Sequence, residues 1–187
     1  MERIVLPKPV LDLLAEVAPH IPPRIAKGEE PEDIADDVNI AIVLHWEDVP
    51  PVREALENIR DHIREGAPLD LHKVREAMEY VRARKEEIEA DDYPRLLQAI
   101  AREIRPLRWF ANVFESRPIL QRDVNAAIAT LGRYFEDYWG DAELVLAVKE
   151  SIADVLWAAQ PNTSLFHLEE ALREGRWALK EFWGVSP

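Results

Sequence analysis

Prolines in this chain recur where apolar residues begin to repeat every three or four positions. A proline in the first turn of such a stretch favours a helix, because its φ is already helical and its missing N–H would have had no partner there. Glycine is scarce, six in 187 residues, and β-branched runs are short. The chain therefore reads as all-α, an irregular multi-helix bundle of roughly eight helices joined by short loops. Helix starts are predicted at Pro9, Pro31, Pro51, Asp70, Pro94, Pro118, Asp141 and Ser164, with Gly66, Gly140 and Gly184 as stops.

With 48% apolar and 32% charged residues, 187 positions suffice for one hydrophobic core, so a single helical domain over 1–187 is expected. If it divides, the natural point is Asp92. Residues 1–92 carry 12 Lys/Arg against 23 Asp/Glu, whereas 93–187 carry 11 against 13. Twelve of the fifteen Phe, Trp and Tyr residues begin at Trp109, so the bulkiest core belongs to the second part. No apolar run approaches the ~20 residues of a membrane span, and Met1–Pro7 lacks a signal-peptide h-region, which leads to the expectation of a cytoplasmic protein without membrane contact. Having no cysteine, the sequence excludes disulfides, thiolate nucleophiles and cysteine-based metal sites. A net charge of −13 sets the protein as a whole against nucleic acid as a lone binder. The Arg- and Glu-rich surface and the prolines in loops suit a thermophilic source.

Within this frame, residues 51–91 read as an acidic helical hairpin turning at Gly66-Ala67-Pro68. Val52, Leu56, Ile59 and Ile63 form one narrow stripe, and Leu71, Val74, Met78, Val81 and Ile88 form the other. The interruption at Lys85 predicts an exposed far end. Asp141–Gln160 is predicted to be a central helix packed on two sides, since Leu144, Val148, Ile152 and Val155 make one face and Leu146 with Trp157 a second. The last helix repeats the theme, with Leu165, Leu168, Leu172, Leu179 and Phe182 on one stripe and Phe166 with Trp177 on another. Asp37–Trp46 alternates like a strand, but the acidic first turn Pro31-Glu32-Asp33 favours helix.

Catalytic machinery is thin. Glu54-x-x-Glu57 and Glu76-x-x-Glu79 resemble the carboxylate pairs of the all-α nucleotide pyrophosphohydrolases over about 26 residues, with Glu79 where that family has Asp. At ~100° per residue, however, all four lie opposite their own apolar stripes and face water. Asp36-Asp37 and Asp91-Asp92 resemble the aspartate-rich motifs of helical prenyl-transfer enzymes, but their spacing is incomplete and helix termini account for them. The histidines are scattered, so no metal site and no cofactor is expected; His72 and Glu76 make an exposed i, i+4 pair. His45, within an apolar stripe, is the buried polar candidate. There is no Gly-x-Ser-x-Gly and no glycine-rich phosphate loop.

One stretch opposes the overall charge. Arg95, Arg102, Arg105, Arg108, Arg117 and Arg122 face only Glu103 and Glu115 and are interleaved with Trp109, Phe110 and Phe114. Arginine beside aromatics grips anions, phosphorylated partners or single strands, although the carboxylates of the first part offer internal partners. The aromatic set Trp109, Phe110, Phe166, Trp177, Phe182 and Trp183 exceeds what one stripe per helix requires. The leading reading is thus a non-enzymatic interaction protein, an adaptor, regulator or assembly subunit that binds a protein partner or itself through aromatic and arginine patches. The rival is a helical enzyme or ligand-binding bundle with a polar site near His45 and the 95–122 arginines. A third reading makes the arginine patch the nucleic-acid contact of a larger complex.

Overall fold

In a computed structural model, which describes residues 3–115 and 119–186, all regular structure is helical. The elements are α1 (Lys8–Val17), α2 (Ile21–Ala26), α3 (Pro31–Ala41), α4 (Pro50–Glu65), α5 (Leu71–Glu87), α6 (Tyr93–Glu103), α7 (Arg108–Glu115), α8 (Gln121–Glu136), α9 (Ala142–Trp157) and α10 (Leu165–Ala178). Short π-helical segments, Ile42–Trp46, Ile88–Asp92 and Leu179–Trp183, extend α3, α5 and α10, and a 3-10 turn, Arg105–Leu107, precedes α7. The all-α expectation holds. Two compact units share the chain: the first runs to Arg84 and includes Ser164–Phe166, and the second comprises Lys85–Thr163 and the chain from His167 onward.

In the first unit, Val10, Leu13, Leu14 and Val17 of α1 are fully buried with Ile21, Ile34, Ala35 and Val38. The ambiguous run ending at Trp46 is helical, α in its first part and π in its last. Trp46 is buried and donates its indole N–H to the Val17 carbonyl at 2.8 Å, satisfying its one donor inside the core. The Glu16 carboxylate accepts the backbone N–H of Leu165 at 2.9 Å, so α10 is capped by a side chain from α1.

The expected hairpin is modified. Gly66 takes the left-handed conformation that ends α4, and Asn58 fixes the turn by donating to the Pro68 carbonyl at 2.9 Å and accepting from Asp70 N–H at 2.7 Å. Yet the stripe Val52, Ala55, Leu56 and Ile59 is buried chiefly against α3, so α4 belongs to a packed pair and is no free arm.

In the second unit, the end of the supposed arm is exposed at Glu86, Glu87 and Glu89 but anchored by one residue. The chain passes from α5 through Ile88–Asp92 into α6 without a break, and Ile88 is fully buried. Pro94 was expected to open a new helix; instead Tyr93 N–H bonds back to the Ile88 carbonyl, and the wider π turn gives the proline ring room within a continuous helix. Helices α2 and α7 escaped the sequence reading because six and eight residues are too short to show a period. The predicted start at Pro118 lies outside the described residues; α8 begins at Gln121, where Asp123 accepts Leu120 N–H at 3.3 Å.

Helix α9 packs on α8 and buries Val148, Ile152, Val155 and Leu156, but its second face is not covered: Leu146 is 55% and Trp157 40% exposed. The expectation of a helix buried on two sides fails there. On the buried side, α9 meets α6 and α10, where a Cβ on Gly175 would lie 2.7 Å from a Leu96 methyl and 2.9 Å from Val155. A side chain there would force those methyl groups to move.

Candidate interaction surfaces

In the first unit, Phe166 faces two imidazoles. Its ring lies 4.9 Å, edge-on, from His45 and 6.5 Å from His20. His45 is half-buried there, as its stripe predicted. Burial, and then the charge of Arg24, lower the pKa of His20. Phe166 is thereby used within its own unit, half-buried. In the same region, Ile40, Val43 and Leu44 are all more than half exposed.

The second unit carries most of the singled-out residues. Trp109 and Phe110 are sequence neighbours with opposite fates: Trp109 is 54% exposed, whereas Phe110 is 1% exposed and stacks on Phe114. Phe110 is therefore a core residue. Consecutive helical positions diverge by ~100°, so only one of the two rings can face outward. Phe182 and Trp183 are half-buried in an aromatic cluster with Phe135 and Tyr138, at centroid distances of 5.6 Å for Phe135–Phe182 and 5.1 Å for Tyr138–Phe182. Removing Trp183 would hollow this cluster, so it is a packing residue before it is an anchor. Trp177 is exposed on α10.

The arginines divide as well. Arg95 pairs with Asp91 at 2.9 Å, both well exposed. Arg102, Arg105, Arg108 and Arg122 are exposed and, among the described residues, have no ion-pair partner. They come from α6, the Arg105–Leu107 turn, α7 and α8, and that turn packs on all three helices. Arg117 lies outside the described residues. Between α6 and α7, next to the π segment Ile88–Asp92, a cleft of about 600 Å³ is lined by Glu89, Asp91, Arg95, Gln98, Leu97 and Phe114.

The most exposed large side chain among the described residues lies outside the predicted set. Trp139 is 96% exposed in the loop between α8 and α9 and borders a groove of about 580 Å³ formed by Phe135, Tyr138, Val145, Leu146 and Lys149. Every residue from 136 to 143 is exposed, and Glu136, Asp137, Asp141 and Glu143 make the segment strongly acidic. Asp141 fixes the end of the loop by accepting the backbone N–H of Glu143 at 3.0 Å and of Leu144 at 3.3 Å, an N-cap that the sequence predicted. At its other end, the Tyr134 and Tyr138 hydroxyls share a hydrogen bond; burial and that bond push the Tyr134 phenol up to about 12. The signal for this site was a Tyr-Trp pair just past a helix end, where no periodicity marks it.

Among the described residues no three His, Asp or Glu side chains converge as a metal site would require. Glu54, Glu76 and Glu79 are exposed, and Glu57 pairs with Arg53 at 3.4 Å. His72 and Glu76 form the anticipated exposed pair at 2.9 Å. No helix of the described residues is long and apolar enough to cross a membrane. No protein-family model, curated protein or solved structure matches the chain.

Proposed function

We propose that the chain is a non-enzymatic, cytoplasmic interaction protein that works through the aromatic and arginine surfaces of its second unit. The observation that carries this reading is Trp139, 96% exposed beside an apolar groove. A tryptophan left in water forgoes the burial that its ring would gain, roughly several kcal/mol at 25 cal/mol per Å². Large exposed apolar residues rimmed by polar ones mark binding sites, and Trp and Arg are the residues that most often anchor them. Trp109 with Arg102, Arg105 and Arg108 supplies a second anchor of the same type. The test is Trp139→Ala beside Trp109→Ala. Each should weaken complex formation about tenfold or more while leaving far-ultraviolet circular dichroism unchanged. Loss of helix content would make these core residues and refute the reading.

One observation favours a ligand-binding reading. The cleft beside Ile88–Asp92 carries Glu89, Asp91, Arg95 and Gln98, and π segments often accompany functional sites. A co-purifying small molecule lost on Arg95→Ala would support it.

A further inference from the structure

We infer that the chain associates head to tail with a second copy of itself, the acidic Tyr138–Trp139 loop of one copy seating on the Trp109 and arginine surface of the next. The inference rests on the interaction reading above and supplies its partner.

Charge complementarity carries it. Some arginines of the chain are paired, Arg24 with Asp37 and Glu29 and Arg64 with Asp36 and, within the patch, Arg95 with Asp91. Arg102, Arg105, Arg108 and Arg122 have no carboxylate partner among the described side chains, and Glu136, Asp137, Asp141 and Glu143 have no basic partner there, although all eight belong to one unit. The fold explains why they do not meet. Arg122 lies in the first turn of α8 and Glu136 at its end, fourteen residues or ~21 Å apart along the axis. That exceeds the reach of an ion pair, so one chain cannot close the two surfaces on itself by this route. A second copy can.

The apolar parts match too. Trp139 and Leu146 stand out beside the acids as Trp109 stands out among the arginines. Lys149 borders the groove and Arg133 lies on the last turns of α8, bonded to Thr130 at 3.3 Å. These leave the 136–143 segment itself with four acids and no base. Single-stranded nucleic acid could stack on Trp109, but a net charge of −13 opposes it and it would leave the acidic loop unused. Because donor and acceptor surfaces differ, the contact is heterologous and propagates into rings or open chains.

Sedimentation velocity on the full chain from ~1 to ~200 μM, at low salt and again at ~0.5 M salt, tests this. Species larger than monomer should grow with concentration and diminish with salt. Trp139→Ala and the double variant Arg105→Glu/Arg108→Glu should each weaken self-association about tenfold or more. Mixed together they should give a 1:1 heterodimer that grows no further, because the first retains the arginine surface and the second the loop; that rescue also shows both are folded. A wild-type chain that stays monomeric, a mixture that stays monomeric, or assembly only on adding a single-stranded oligonucleotide would overturn the proposal. Should the wild type be monomeric while Trp139→Ala still disrupts a complex with another protein, self-docking falls and the interaction reading stands.

Discussion

The Tyr93 hydroxyl donates to the carbonyl oxygen of Val155, joining the start of α6 to α9 in the interior of the second unit. Tyr93 is buried and sits where the π segment hands over to α6, so this bond fixes the register of a helix that enters without a loop. Tyr93→Phe keeps the ring and removes the bond; the expected loss is about 1–2 kcal/mol, read as a lower urea midpoint with unchanged slope. An unchanged midpoint would mean that the hydroxyl contributes nothing net.

Gly175 should tolerate no side chain. Alanine gains about 1 kcal/mol of helix propensity, but its Cβ would press on the methyl groups of Leu96 and Val155, both buried, which would have to shift. Overpacking costs about 1–3 kcal/mol, so Gly175→Ala should lower the melting temperature or at best leave it unchanged. A clear rise would show that the helices can separate freely.

Stability should also fall as pH rises from about 4.5 to about 7. Burial first, and then the neighbouring carboxylates of Asp154 and Glu170, push the Glu174 carboxyl up to about 7, only partly offset by Arg173. Its Oε2 is sealed from solvent without a partner among the described residues. The folded state thus holds its proton more tightly than the unfolded chain, whose value is 4.5. The folded state is favoured below that value, and the advantage is lost progressively up to about 7. Glu174→Gln should flatten the urea midpoint across this window; an identical pH profile would dismiss Glu174 as its cause.

Trp46→Phe should destabilise the first unit by about 1–3 kcal/mol, since it leaves the buried Val17 carbonyl without that donor and empties part of the indole's volume. Chemical denaturation followed by circular dichroism measures it, and no shift would remove Trp46 from the core's main supports.

The helical class was legible because prolines and apolar spacing are local properties, and the stripes of α4 and α9 appear as the buried faces Val52–Leu56–Ile59 and Val148–Ile152–Val155. What lay beyond the sequence was tertiary. Nothing local says that α4 meets α3, that Leu146 and Trp157 stay uncovered, or that Pro94 sits within a continuous helix. The surfaces follow the same logic. Trp109 was legible as an aromatic among arginines, whereas Phe110 differed from it only by the 100° turn between neighbours. Trp139 lies outside every helix and so outside any periodic argument.

The most direct measurement is a native mass spectrum of the purified wild-type chain. A stoichiometric protein assembly without added small-molecule mass is the predicted result, and Trp139→Ala should dissociate it. A monomer carrying a bound small molecule would contradict the account and move attention to the cleft beside Ile88–Asp92.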